Sequence, residues 1–173
     1  MKVKYLDLKN KRVFISGGGS GIGATIVEHF CEQNSEVYFI DIDIKASKEL
    51  IKNIKQKKLR TPNFIECNIL DIKKLQNTIQ EIINKKGPIH CLINSAANDD
   101  RHATEQVDEK YWENRMGINL KHYFFAAQAV VKGMKKIKSG SIVNLSSVSW
   151  MLGEGDKVVY ETAKSAVIGL TRS

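Results

Sequence analysis

The sequence predicts an α/β fold, a doubly wound parallel sheet with helices on both faces. Three observations lead there. Short apolar runs alternate with amphipathic stretches along the 173 residues, the pattern of successive βαβ units. The apolar runs are nearly continuous, which fits strands covered on both faces. The first of them opens into a glycine cluster and then directly into a helical pattern.

Each element has its own signal. Arg12 to Ser16, RVFIS, is an apolar strand ending at the glycines, and Ile22, Ile26, Val27 and Phe30 then mark one helical face. Glu36 to Asp41, EVYFID, is the second strand, followed by a helix carrying Leu50, Ile51 and Ile54. Asn63 to Cys67, NFIEC, is the third, and Ile72, Leu75, Ile79, Ile82 and Ile83 form the stripe of the next helix. His90 to Asn94, HCLIN, is the fourth strand and Ser141 to Ser146, SIVNLS, the fifth, with a long helical segment from Tyr111 to Lys136 between them. No repeat, low-complexity segment or linker divides the chain, so residues 1–173 are expected to form one domain.

Composition narrows the partners. With 42% hydrophobic and 27% charged residues the chain is long enough to bury a core, and no apolar run approaches the roughly 20 residues of a membrane span. Met1 to Arg12 is charged and lacks the apolar stretch of a secretory signal. The net charge of +8 comes largely from Lys52 to Lys58 and Lys132 to Lys138, at helix ends where solvated cations are favourable. Neither a nucleic acid nor a membrane is expected as partner. Cys31, Cys67 and Cys91 lie far apart, each beside apolar neighbours, and read as reduced core thiols of a cytoplasmic protein with no metal site.

The motifs gather at the carboxyl ends of the strands, where ligands of such a sheet bind. Within SGGGSGIG, Gly17 suits a tight turn, Gly21 close approach to a pyrophosphate and Gly23 close helix packing, with the helix N-terminus offering free N–H groups. Asp41 ends the second strand about 20 residues on, where a ribose-binding acid belongs in a Rossmann-type site. Its charge would repel a 2′-phosphate, and no Arg or Lys lies within the glycine loop, so NAD is expected rather than NADP. Tyr160 and Lys164 stand four apart at the start of a helix and share a face, an arrangement in which the ammonium favours the phenolate. Ser146 and Ser147 end the fifth strand just upstream. After the fourth strand comes a run of polar residues, Asn98, Asp99, Asp100, Arg101 and His102, at the mouth of the same cleft.

On these motifs the chain resembles a short-chain dehydrogenase/reductase over essentially its whole length. The glycine motif matches Ser16 to Gly23, with Ser16 where threonine is usual, and the catalytic tyrosine and lysine match Tyr160 and Lys164. The resemblance places the catalytic serine at Ser147 and the proton-relay asparagine at Asn119. The motif after the fourth strand appears as Asn94-Ser95-Ala96-Ala97, with Ala97 replacing a glycine, and Asn68 sits where an aspartate is common. It implies an NAD site formed by Gly17, Ser20, Gly21, Ile22, Gly23, Asp41, Asn68, Ile69, Asn94 and Ala96 together with Tyr160 and Lys164. The segments NDDRH, YWENRMGINLKHYFFAAQAV and SVSWMLG are more particularly similar to NAD-dependent aldose 1-dehydrogenases acting on D-xylose, arabinose or galactose. That similarity implies a sugar held by Asn98, Asp99, Arg101, His102 and Ser147, with Trp150 stacking on its face. The plainer alternative is that Asp99 and Arg101 pair to hold the loop.

Three activities remain open at this level: an aldose dehydrogenase, a reductase of another substrate such as a 3-oxoacyl thioester, or a non-catalytic NAD-binding fragment. The chain ends at Ser173, inside the helix that Tyr160 begins, while a six-strand dinucleotide fold needs a further strand. The sheet is therefore expected to be incomplete at its C-terminus, without the last strands and substrate lid. Residues 123–131, with Tyr123, Phe124, Phe125, Ala126, Ala127, Ala129, Val130 and Val131, are apolar almost all round their helix. Burial on two sides is expected, and the resemblance implies pairing with a second copy in a homo-oligomer.

Overall fold

The computed structural model describes residues 3–173; Met1 and Lys2, which open the charged N-terminal stretch, lie outside the described residues. Five strands alternate with helices: β1 (Arg12–Ser16), α1 (Gly21–Glu32), β2 (Glu36–Asp41), α2 (Ile44–Gln56), β3 (Asn63–Glu66), α3 (Ile72–Lys86), β4 (Cys91–Asn94) and β5 (Ser141–Asn144). Between β4 and β5 run α4 (Glu109–Met116), a π-helical turn (Gly117–Lys121) and α5 (His122–Lys136). After β5 come a short α6 (Ser149–Leu152) and α7 (Val158–Arg172).

All strands are parallel, in the order β3-β2-β1-β4-β5. β1 pairs with both β2 and β4, so the order reverses between them and the crevice outside their carboxyl ends is the switch point where ligands of this architecture bind. The register aligns Ser16 with Ile40 and Asn94, and Asn94 with Asn144, in one row across that end of the sheet.

The nearly continuous apolar strands are explained by the two layers they separate. Val13, Ile15, Val37, Phe39 and Ile93 pack with Val27, Cys31 and Ile54 of α1 and α2. Phe14, Tyr38, Ile40 and Leu92 point the other way, against Leu75 and Ile79 of α3 and Ala126 and Val130 of α5. Fully burying a side chain such as Phe14 or Ile15 contributes about 1.5–3 kcal/mol, so the central strand anchors both layers.

The differences from expectation are local. Cys67, His90, Leu145 and Ser146 fall outside the strands. Cys67 N–H and Leu145 N–H still donate to the neighbouring Asp41 and Asn94 carbonyls, but the chain then turns away. The long helical segment begins at Glu109 because the Asp108 carboxylate caps it, accepting from Tyr111 N–H at 2.7 Å. It is then interrupted by the π-helical turn around Asn119. On α5, Tyr123, Ala126 and Val130 are buried against the sheet while Phe124 is 48% and Val131 37% exposed, so the second apolar side faces outward in the single chain. No helix among the described residues is long and apolar enough to cross a membrane, and no group of His, Cys, Asp and Glu among them could hold a metal ion.

Candidate active site

The glycine loop rises from Ser16, which is fully buried at the end of β1. Gly17 has φ +69°, and a Cβ there would lie 2.6 Å from the Ala96 backbone, so only glycine allows this loop to touch the segment after β4. A Cβ on Gly23 would lie 1.9 Å from the Gly17 carbonyl oxygen, which is how α1 starts so close to the turn. Above Gly21 the space is open. Gly17 and Gly18 N–H both donate to the Ile40 carbonyl, tying the loop to β2.

The start of α1 differs from its neighbours. Asp43, Asp71 and Asp108 cap α2, α3 and α4 through their carboxylates. Ser20 at the start of α1 makes no side-chain cap bond, and the first turn carries no acidic residue. The N–H groups there carry no capping side chain, which leaves them available to an anion.

Asp41 is half-buried, and its carboxylate holds the same loop. Oδ2 accepts from Gly19 N–H at 2.8 Å and Oδ1 from Asp43 N–H at 2.9 Å. Each oxygen keeps a lone pair for a ribose hydroxyl, and among the described residues no Lys or Arg pairs with it. Asn68 is exposed and accepts from Leu70 N–H, while Ile69 packs against the core.

Across the switch point, Ser16 Oγ accepts from Ser95 N–H and Ala96 N–H, joining the ends of β1 and β4. Asn94 is fully buried; its amide donates to Asn144 Oδ1 at 2.8 Å, and its own Oδ1 has no partner among the described residues. Asn119, also fully buried, forms a reciprocal pair with the backbone of Asn98. Its Oδ1 accepts from Asn98 N–H at 2.8 Å and its Nδ2 donates to Asn98 O at 2.9 Å.

At the other wall, Lys164 is 1% exposed, and burial pushes its ammonium down to about 8. Its Nζ lies 5.6 Å from the centre of the Tyr160 ring. Tyr160 is half-buried, and its hydroxyl has no hydrogen-bond partner among the described residues. The two serines are told apart by their bonds. Ser146 Oγ donates to the Lys164 carbonyl at 2.7 Å, whereas Ser147 Oγ lies 2.8 Å from Ser149 Oγ and accepts from Ser149 N–H.

The loop expected to meet a substrate is internally bonded. Asn98 Oδ1 accepts from Asp100 N–H, and His102 Nδ1 lies 2.8 Å from the Tyr111 hydroxyl. Asp99 and Arg101 do not pair: Arg101 reaches the Gly155 carbonyl, and Asp100 pairs with Arg115 at 2.8 Å, a partner that α4 presents to it. His102 N–H donates to the Asp156 carbonyl, so this loop and the one before α7 are joined. Trp150 is half-buried on α6.

The family model for short chain dehydrogenases matches residues 11–173. The chain belongs to the short chain dehydrogenase family. It is 41% identical over 169 residues to a D-xylose 1-dehydrogenase of Caulobacter vibrioides, covering 98% of this chain and 66% of that protein. A Rhizobium meliloti protein described as a probable galactose dehydrogenase is 38% identical over 170 residues, with the same coverage. The solved, ligand-free aldohexose dehydrogenase of Thermoplasma acidophilum superposes with a TM-score of 0.82 at 28% identity, over 96% of this chain and 61% of that one. The chain thus spans about two thirds of the length of the curated relatives it matches.

Two residues of this short chain dehydrogenase site escape a reading by motif. His122 is fully buried, with Nε2 3.4 Å from Ser16 Oγ. Burial, and then the nearby Lys164 charge, hold it down to about 3 against the opposing backbone groups of Ile118 and Gly117, so it is neutral. Tyr123, stacked edge-on to His122 at 4.4 Å, bonds Lys164 directly. Both sit on the apolar face of a helix, where a sequence pattern signals only core.

Proposed function

We propose that the chain is the nucleotide-binding and catalytic part of an NAD-dependent oxidoreductase that oxidises an aldose such as D-xylose at C1 to the aldonolactone. The observation that carries this is that the uncapped α1 N-terminus after β1, Asp41 at the end of β2 and the Lys164 ammonium bonded just after β5 all lie at the carboxyl ends of the parallel strands. The fit to a dinucleotide rests on the free N–H groups beside open space at Gly21 and on the unpartnered, buried Asn94 Oδ1. Ser20, Gly21, Ile22 and Gly23 would hold the pyrophosphate, Asp41 the adenosine ribose, Asn68 and Ile69 the adenine side, and Asn94, Ala96, Tyr160 and Lys164 the nicotinamide side. Similarity to relatives named for D-xylose and galactose supports a sugar.

A nicotinamide held there would supply the acceptor for the hydride that leaves C1. Tyr160, as phenolate, takes the proton of the C1 hydroxyl while the C1–O bond becomes a carbonyl. The Lys164 ammonium stabilises that phenolate and would hold the nicotinamide ribose. Ser147, steered by Ser149, orients the substrate oxygen, and Asn119 lies on the proton's route from Lys164 to solvent. Asn98, Asp99, Arg101, His102 and Trp150 line the sugar side. The enzyme's main contribution is to aim the proton acceptor and the hydride acceptor at adjacent substrate atoms, O1 and C1. The reduced thiols Cys31, Cys67 and Cys91 fit a cytoplasmic setting, and the exposed Phe124 face fits a homo-oligomer.

The test compares NAD reduction by the chain with aldoses, simple secondary alcohols and 3-hydroxyacyl thioesters, following the absorbance of the reduced cofactor. Turnover with aldoses alone supports the proposal; preference for a thioester, or NAD binding without turnover on any of them, would replace it.

A further inference from the structure

We propose that Tyr123 is a positioning residue for Lys164, its phenol oxygen holding the ammonium so that one N–H is left to point at a ligand in the cleft. The inference rests on the nicotinamide reading above only for what that ligand is. The contacts form a closed triangle. Lys164 Nζ donates to Tyr123 Oη at 2.9 Å and to the Leu145 carbonyl at 2.7 Å, and Tyr123 Oη donates to the same carbonyl at 3.1 Å. An ammonium has three donors, and two are used here.

The surroundings leave Tyr123 little freedom. Its side chain is fully buried, and His122 packs edge-on against its ring. Lys164 Nζ also lies 5.1 Å from the ring centre, within cation–π range. The titratable groups that face Lys164 are Tyr160 from α7 and Tyr123 and His122 from α5, and no Asp or Glu pairs with it among the described residues. The phenol oxygen therefore offsets the burial of this charge without neutralising it, which a carboxylate would do. It also reaches the catalytic serine's strand end: Leu145 immediately precedes Ser146 and Ser147, and Ser146 is bonded back to the Lys164 carbonyl.

The experiment begins without nucleotide. Carbon-13 NMR at the lysine Cε, with the Lys164 signal assigned by its loss in Lys164→Met, reads the titration of Lys164 apart from the other lysines. Tyr123→Phe keeps the ring and its packing and removes only the hydroxyl. Losing a hydrogen bond to the buried charged form should lower the Lys164 midpoint by about one pH unit. An unchanged midpoint in a folded variant would overturn the assignment. Calorimetry then adds the ligand. Tyr123→Phe should weaken NAD about tenfold and leave ADP, which lacks the nicotinamide ribose, unchanged. Equal losses for NAD and ADP would mean a general loosening and overturn it as well. Wild-type protein that bound no NAD would remove the nicotinamide reading, while the lysine titration would still decide Tyr123.

Discussion

Replacing His122 with glutamine removes a titration that the fold holds far below its ordinary range. His122 is buried between the sheet and the π-helical turn, with its folded-state pKa pushed from 6.5 to about 3. As pH falls through 6.5 the unfolded chain takes up a proton that the folded chain refuses. Stability must therefore drop as pH falls from about 6.5 towards 3, and the neutral His122 contributes fully only above that window. Between pH 6 and 5 the unfolded histidine is mostly protonated and the folded one is not, so the drop is about 1.2 kcal/mol. Urea unfolding of wild type and His122→Gln at both pH values isolates this amount. His90, whose pKa burial also lowers, titrates in both proteins and cancels in the difference. The variant should lose about 1.2 kcal/mol less than wild type over that interval. Parallel profiles would show that His122 accepts a proton in the folded protein, and the buried contact with Ser16 would have to be abandoned.

Other perturbations address the site itself. Asp41→Ser should narrow the preference for NAD over NADP at least about tenfold, by relieving repulsion of a 2′-phosphate in a partly desolvated site; native protein binding NADP more tightly than NAD in calorimetry would refute the role of Asp41. Tyr160→Phe should cost at least ~100-fold in turnover, the low end of general acid–base contributions, with NAD binding little changed. Near-normal rates across the pH profile would exclude Tyr160 as the proton acceptor. Phe124, not Phe125, is the outward aromatic of α5, so Phe124→Lys should give smaller species by light scattering. A clean native monomer at tens of micromolar would rule out the interface.

What was legible in the sequence is what local pattern controls. Continuous apolar strands, the glycine loop with Asp41 after the next strand, and the four-residue spacing of Tyr160 and Lys164 each declare themselves within a short window. The remainder depends on contacts distant in sequence. His122 meets Ser16 across 106 residues and Tyr123 meets Lys164 across 41, and on an apolar helix stripe both look like core. In the polar loop after β4, neighbouring opposite charges leave an Asp99–Arg101 pair open as the alternative to substrate contact. The irregular backbone instead turns Asp100 towards Arg115 on α4, and no periodicity in the sequence announces that turn.

Hydride transfer from a sugar C1 to the nicotinamide is read out with D-xylose carrying deuterium at C1. Incubated with the protein and NAD, it should yield reduced cofactor with deuterium at C4 of the nicotinamide, detected by NMR or mass spectrometry, together with the lactone. Reduced cofactor without deuterium, or no reduction with any aldose while another alcohol is oxidised, would rule out hydride transfer from a sugar C1.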